Sequence, residues 1–274
     1  EDTGGIDELT EGWGKVLQVW EGHAADPEIR LKGSSGGVAT ALALSCIAKA
    51  GMTGVIHTGV GSQPLSRKTK FSKTREELLA EAGSRYAPAS PCDGLRRAGN
   101  DLGQWVFIGK PCDAAGVRKA QQSSNGQIKE IGVVISIFCA GTPSTQGTID
   151  LLEKMVVPID KVRSVRYRGN GWPGKFSVAT HGDADTKKEL TYREAWSFLQ
   201  KYRPYRCYLC PDGTGEFADI SCGDSWYREI NADEEGHSLI LVRTERGQQI
   251  LQNAITAGFI KAERATPEIL EKSQ

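Results

Sequence analysis

The sequence predicts an α/β fold with α+β character in its C-terminal half: a mixed sheet with parallel βα units and cysteines at strand ends. Three observations lead there. Residues 104–108 and 131–138 are continuous apolar runs, and each passes through a short turn into a helix-patterned segment. Apolar strands followed by helices pair in parallel, because helices then cover both faces of the sheet. Residues 33–61 read as glycine-rich turn, helix and strand, whereas residues 176–192 alternate as a hairpin does.

Taken in order, Gly33-Ser34-Ser35-Gly36-Gly37 places two serine N-cap candidates before an apolar run from Val38 to Ala50, and Gly51 is the stop. Residues 54–60 form a short β-rich run. Thr74-Arg75-Glu76-Glu77 is a capping box that starts a helix ending near Gly83. The strand at 104–108 leads into Gly109-Lys110-Pro111-Cys112 and a helix over 113–121. The strand at 131–138 leads into Cys139-Ala140-Gly141-Thr142-Pro143, and Ser144 caps a helix over 145–155. Ligands of parallel sheets gather beyond the carboxyl ends of the strands, where Cys112 and Cys139 both fall. Residues 162–168 read as a strand, then Gly169-Asn170-Gly171-Trp172-Pro173-Gly174 as a tight loop. Strands at 176–180 and 189–192 flank His181-Gly182-Asp183-Ala184-Asp185. Residues 201–227 are turn-rich, and a strand at 238–243, a helix at 246–257 and a strand at 260–263 close the chain.

The chain has 274 residues with 34 basic and 34 acidic side chains, 39% apolar and 25% charged residues. That is one large or two modest globular domains, at roughly 150 residues per domain. Balanced charge gives no electrostatic case for nucleic acid or a membrane surface. No run approaches the roughly 18 apolar residues of a membrane span. The acidic, polar start, Glu1-Asp2-Thr3-Gly4-Gly5, is not a secretory signal, which predicts a cytoplasmic location. Seven dispersed cysteines, Cys46, Cys92, Cys112, Cys139, Cys207, Cys210 and Cys222, are an odd number and too sparse for a disulfide scaffold. They point instead to metal or redox chemistry.

Cys207-Tyr208-Leu209-Cys210-Pro211 is the sharpest local signal, because C-x-x-C lets two thiolates reach one metal or one face of a cluster. A four-iron cluster needs two more thiolates, and Cys112 and Cys139 are the placed candidates; a closed zinc site would use the same four. A redox dithiol would open a helix, and Pro211-Asp212-Gly213 is a poor helix start. Cys46 sits among Leu44, Ile47 and Ala48 and reads as a buried core thiol, while Cys92 and Cys222 lie in turns and could replace a ligand. The Gly33–Gly37 loop opening a helix is an anion-binding geometry, with a plain helix start as the other reading. Arg166 and Arg168 at period two, followed by a glycine loop presenting Trp172, suit either a solvated strand edge or a planar anionic ligand. His23, His57, His181 and His237 have no metal spacing, and His57 reads as structural. Zinc-protease, α/β-hydrolase and kinase patterns are absent.

Taken together, these segments resemble the coenzyme F420 hydrogenase/dehydrogenase beta subunits, a family that includes 7-hydroxymethyl chlorophyll a reductase. The resemblance rests on Gly-Ser-Ser-Gly-Gly-Val at 33–38, Ala-Gly-Ser-Arg-Tyr at 82–86, Gly-Lys-Pro-Cys at 109–112 and Phe-Cys-Ala-Gly-Thr-Pro-Ser at 138–144. It continues with Arg-Tyr-Arg-Gly-Asn-Gly-Trp-Pro-Gly at 166–174, Cys-Tyr-Leu-Cys-Pro-Asp at 207–212, Ala-Asp-Ile-Ser-Cys-Gly-Asp at 218–224 and Val-Arg-Thr-Glu-Arg-Gly at 242–247.

The resemblance implies an iron–sulfur flavoprotein oxidoreductase passing electrons between a [4Fe-4S] cluster and a hydride acceptor through FAD. Cys112, Cys139, Cys207 and Cys210 match the cluster motifs. Gly33, Ser34, Ser35, Gly36 and Gly37 fall on the FAD phosphates, and Ser84, Arg85, Tyr86, Gly171 and Trp172 near the flavin. Lys110, Arg166, Arg168 and Lys175 would stabilise negative charge on reduced flavin or an acidic substrate. Coenzyme F420 is such a substrate, and a tetrapyrrole or another conjugated acceptor is the alternative small-molecule hydride partner. The rival class is a non-catalytic electron-relay or zinc-stabilised subunit. The family pattern divides the chain into an extension over 1–32, an N-terminal region over 33–122 and a C-terminal region over 127–274, with 121–126 as the polar boundary. Residues 1–32 hold no cysteine, whereas family members often carry a ferredoxin-like module there; electrons then enter from a ferredoxin, another redox subunit or a preceding segment. Cys222 stands where a small apolar residue is expected. A homo-oligomer is compatible with all of this.

Overall fold

The computed structural model describes residues 5–99, 103–123, 128–182, 187–230 and 234–274. Among these, eleven strands run in chain order: β1 (Gln18–Ala24), β2 (Gly54–Val60), β3 (Arg67–Ser72), β4 (Trp105–Gly109), β5 (Ile131–Ile137) and β6 (Val162–Arg166). They continue as β7 (Lys175–Thr180), β8 (Lys187–Thr191), β9 (Ile220–Asp224), β10 (Ser238–Val242) and β11 (Ile260–Arg264). Eight form one sheet in the order β11-β1-β10-β9-β5-β4-β2-β3, and β6-β7-β8 form a small antiparallel one. The centre of the large sheet, β2-β4-β5-β9, is parallel and its flanks are antiparallel, so the predicted mixed α/β sheet is what the chain builds.

The parallel centre follows from β4 and β5, in which Val106, Phe107, Val133, Val134 and Ile135 are all fully buried. On one face they meet Leu42, Ile240 and Leu251 around the helices Val38–Ala50 and Glu245–Thr256. On the other, Phe107 and Val134 meet Ala114 and Val117 of the helix Pro111–Ser123. Each such side chain contributes about 1.5–3 kcal/mol by leaving water. A third cluster, Leu151, Leu152, Tyr167, Phe176 and Leu199, joins the small sheet to the helices Thr145–Lys154 and Tyr192–Leu199. No helix among the described residues is long and apolar enough to cross a membrane.

Several elements differ from the sequence expectation. Residues 18–24 are a strand inside the large sheet, between β11 and β10. Glu21 hides that strand from a hydropathy reading. It is buried, yet accepts hydrogen bonds from Tyr227 Oη (2.7 Å) and from Nε and Nη2 of Arg228 (2.8 Å each). Burial alone would raise its pKa, but those donors outweigh it and hold the carboxyl at about 2. The turn-rich segment contains β9, and Cys222 lies in the middle of this buried strand rather than in a turn. Residues 189–192 are split: Thr191 ends β8 and, in a capping box with Glu194, starts the helix Tyr192–Leu199. Of the intervening turn, residues 183–185 lie outside the described residues, as do 124–126 of the expected boundary; Gln121–Ser123 belong to the helix before it. That helix starts at Pro111, favoured at a first helical position, and so places Cys112 in its first turn.

Candidate functional site

The Gly33–Gly37 loop joins the helix Pro27–Lys32, capped by the Asp26 carboxylate, to the helix Val38–Ala50. Gly36 (φ 72°) and Gly37 (φ 73°) are both left-handed, and a Cβ on Gly37 would lie 2.5 Å from the Ile29 carbonyl. Gly37 itself is the N-cap, and neither expected serine caps the helix. The serines tie the loop down instead. Ser34 Oγ accepts from the Ser84 N–H (2.7 Å), its carbonyl accepts from Arg168 Nη2 (2.7 Å), and Ser238 Oγ donates to the Ser35 carbonyl. The N–H groups of Ser34, Ser35, Gly37 and Val38 have no acceptor among the described residues, which with the helix's positive end makes an anion cradle. Gly37→Ala should destabilise the protein by about 2 kcal/mol in chemical denaturation, through left-handed strain and the Ile29 clash.

The cradle lines a cavity of about 270 Å³ that also takes in Ser84, Arg85, Tyr86, Lys110, Cys139 and Asp224. It therefore lies at the carboxyl ends of β4, β5 and β9. Arg85 is ion-paired to Glu81 (2.8 Å) and mostly buried; burial brings its pKa down to about 10. Tyr86 packs its ring against Tyr167 and Trp196, and burial raises its hydroxyl pKa. Lys110 Nζ is 2.5 Å from Asp113 Oδ2, so a cation is fixed at the cavity wall.

Residues 166–175 depart from the predicted common face. β6 ends at Arg166, and Arg168 turns inward to 2% exposure. Its Nη1 and Nη2 grip the Asp224 carboxylate at 2.8 and 2.6 Å, and Trp172 Nε1 donates to the same carboxylate (2.8 Å). Burial works against the Arg168 charge, yet Asp224 holds its pKa above the ordinary arginine value. The guanidinium also lies over the Tyr192 ring (4.7 Å) and the Trp226 ring (5.2 Å), which stack on each other at 5.3 Å. Trp172 is thus buried rather than presented to solvent.

Tyr192, Trp196 and Trp226 form the wall between the first cavity and a second of about 1090 Å³, lined by Arg166, Gly171, Trp172, Lys175 and Arg193. Arg166 is half-buried and donates to the Arg168 carbonyl (3.4 Å), while Lys175 is at the exposed rim, paired with Glu189 (3.1 Å). Of the predicted cations, Lys110 and Arg168 line the first cavity, and Arg166 and Lys175 the second.

The four candidate thiols gather on one edge beside the first cavity. Cys139 follows β5, with its N–H bonded to the Gly213 carbonyl (2.8 Å) and its Sγ accepting from the Gly141 N–H (3.4 Å). Gly141 (φ 109°) permits this approach: a Cβ there would meet Arg203 at 2.3 Å and Cys207 Cβ at 3.4 Å. Cys207 lies in the short helix Tyr205–Tyr208, and Cys210 follows where the Asp212 carboxylate orders the loop by accepting from three backbone N–H groups. Cys139 interacts electrostatically with Cys112 and Cys207, and Cys112 with Cys210; burial raises the pKa of Cys112 and Cys139. All seven cysteines are free thiols. Among the described residues no group of three His, Cys, Asp or Glu is arranged to hold a metal ion. The thiols therefore share an edge without forming the closed tetrahedron of a zinc site, whose sulfurs stand about 3.8 Å apart. An all-thiol donor set without carboxylate or imidazole fits a cluster that binds one cysteine per iron. Cys46 and Cys222 are core side chains, pushed up to about 12 by burial, and Cys92, pushed up to about 11, bonds the Asp113 carbonyl (3.5 Å).

Three contributors had weak sequence signals. Tyr192 and Trp196 follow the overlooked capping box at Thr191, and Asp224 ends a motif that assigned it no role. His57 lines the cavity, buried, with Nε2 2.8 Å from Ser72 Oγ. Desolvation lowers its pKa from 6.5 to about 4. A folded value below the unfolded one stabilises fully above pH 6.5, and that stability is lost as pH falls toward 4. Stability should fall by about 3 kcal/mol between neutrality and pH 4, and urea unfolding of His57→Gln should lack this decline, leaving the Glu21 window below 4.5 intact.

Two family models match the chain, both described as coenzyme F420 hydrogenase/dehydrogenase, beta subunit: the one for the C terminus over residues 103–268, and the one for the N terminus over residues 19–95. The chain belongs to this family. It is 26% identical over 254 residues to the coenzyme F420 hydrogenase subunit beta of Methanothermobacter thermautotrophicus, covering 90% of this chain and 84% of that protein. It is 28% identical over 240 residues to the coenzyme F420-dependent sulfite reductase of Methanocaldococcus jannaschii, covering 82% of this chain and 35% of that longer protein. The fold matches a chain in the xenon-derivatised F420-reducing [NiFe] hydrogenase complex from Methanosarcina barkeri with a TM-score of 0.73. That match has 24% identity and covers 96% of this chain and 91% of that one. The chain is thus a member of an oxidoreductase-subunit family.

Proposed function

We propose that the chain is an iron–sulfur flavoprotein redox subunit that binds FAD in the first cavity and a [4Fe-4S] cluster on Cys112, Cys139, Cys207 and Cys210. Coenzyme F420 is its hydride partner, and a ferredoxin or another redox subunit is its electron partner. One observation carries the reading: Cys139 and the anion cradle of Ser34, Ser35 and Gly37 line the same cavity. The names of the relatives, which act with coenzyme F420, support the choice of hydride partner.

FAD bound in the first cavity would supply hydride chemistry, and a cluster on the four thiols would supply single-electron chemistry. The chain's own residues do the rest. The N–H groups of Ser34, Ser35, Gly37 and Val38 would hold the diphosphate, and the left-handed glycines would let it approach the backbone. Lys110, fixed by Asp113 in the lining shared with Cys139, would stabilise negative charge on a ring system bound there. Arg166 and Arg193, in the second cavity, bind the acidic tail of the hydride partner, and Tyr192 and Trp226 keep water from the partition between the two cavities. Anaerobic purification should give a yellow-brown protein with a flavin band over a broad shoulder, about four irons per chain, and bleaching by reduced F420. A colourless protein retaining one zinc would overturn the reading.

A further inference from the structure

Arg243, directly after β10, is a cation at 3% exposure. Its Nε donates to Ser221 Oγ (2.9 Å), and its Nη1 to the carbonyls of Trp13 (2.9 Å) and Lys15 (3.0 Å). Its Nη2 donates to the carbonyl (3.3 Å) and the hydroxyl (2.9 Å) of Thr214. Five N–H donors thus meet five neutral acceptors, and no ion pair accompanies them among the described residues. Burial brings the pKa of Arg243 down to about 10 against the opposing pull of Asp212 and Glu216, which leaves it charged at neutrality.

Thr214 is the point where this fork meets the thiol loop. Just before it, the Gly213 carbonyl accepts from the Cys139 N–H (2.8 Å), and Cys210 Sγ donates to the Asp212 carbonyl (3.4 Å). Just after it, the Gly215 carbonyl accepts from Ser221 Oγ (3.0 Å). The N-terminal stretch backs the same loop: Gly14 (φ 69°) leaves room for Glu216, whose Cγ would stand 2.4 Å from a Cβ there. Arg243 therefore joins residues 13–15, β9 and the loop over 207–216, and a lysine ammonium has no planar fork to span them. The loop also carries Asp212 and Glu216, so an electron placed on four thiolates beside them adds like charge. A buried cation opposes that. In the interior, one unit charge acting across the thickness of a loop is worth about tenfold in such an equilibrium.

We propose that Arg243 is a positioning residue for the four-thiol centre: its fork pins Thr214 to residues 13–15 and to β9, which presents Cys139 and Cys210 together, and its charge favours uptake of an electron there. This rests on the cluster reading of Cys112, Cys139, Cys207 and Cys210. The electron comes from a one-electron reductant and is held on the centre; no bond forms or breaks.

The test uses the full chain, purified anaerobically and poised with dithionite and mediators at the potential where half of the wild-type clusters are reduced, as read by electron paramagnetic resonance. For Arg243→Gln, which loses the charge, the expected ratio of reduced to oxidised cluster is about tenfold lower than in wild type. Arg243→Lys, which keeps the charge without the fork, should stay within about threefold. Both variants, freed of iron, should be cut by a protease within residues 201–217 about tenfold faster than iron-free wild type. A ratio in Arg243→Gln within about twofold of wild type, or wild-type cleavage in both variants, would overturn the proposal. Should neither variant fold, Thr214→Val decides: it leaves the cation in place and frees Nη2 from the hydroxyl, so cleavage should rise about threefold at an unchanged Tm, and unchanged cleavage would overturn the proposal. If the wild-type protein holds no iron, the cluster reading has failed instead. The cleavage comparison on the chain as purified then still decides whether Arg243 holds the loop.

Discussion

Cys207→Ser is expected to empty the thiol edge, with iron per chain falling from about four to near zero and ferredoxin-linked turnover falling at least a hundredfold. Cys207 is the thiol whose Cβ would touch a side chain at position 141, in the turn whose N–H bonds Cys139 Sγ. Losing that thiol would therefore remove one of the four proposed ligands. Metal binding is linked to folding, so the loop over residues 201–217 should also become more open to proteolysis. Cys46→Ala, in the apolar core, is the control and should keep its iron. Unchanged iron in Cys207→Ser, measured by metal analysis, would remove Cys207 from the site.

The second large effect is expected at Arg168. Replacing it with methionine leaves the Asp224 carboxylate, only 16% exposed, with Trp172 Nε1 as its remaining side-chain donor. Breaking one side of a buried pair typically costs 3–5 kcal/mol, which corresponds here to a fall in Tm of about 10 °C. Flavin retention should fall with it, because the same guanidinium holds the Ser34 carbonyl and faces the Tyr192 and Trp226 rings. The double variant Arg168→Met/Asp224→Leu should recover part of the stability but not the flavin. A single variant that melts like wild type would show that the pair contributes little to the fold.

The parallel centre was legible because β4 and β5 are buried on both faces, which leaves continuous apolar runs in the chain. The glycine loop was legible as a loop, but its chemistry was not. Ser34 and Ser35 look like helix caps until Ser84 and Ser238, 50 and 203 residues away, appear as their partners. β1 and β9 escaped for a related reason: a buried Glu21 and the sequence Ile-Ser-Cys-Gly-Asp carry little hydropathy signal, and long-range hydrogen bonds and packing make them strands. The inward turn of Arg168 could not be read from its spacing, because β6 stops before it and the partner Asp224 lies 56 residues on. Spacing within the chain indicated that the thiols belong together, and the structure adds that they crowd one edge without closing on a single ion.

The ties on the glycine loop reach into distant stretches of chain: Ser84 before the central strands, Arg168 beside the small sheet and Ser238 on β10. An occupant of that loop does not simply sit in a preformed slot. It would add a brace to segments that also meet through Tyr86 on Tyr167 and through Arg168 on Asp224, so loading should raise the melting point of the whole molecule with the logarithm of ligand excess.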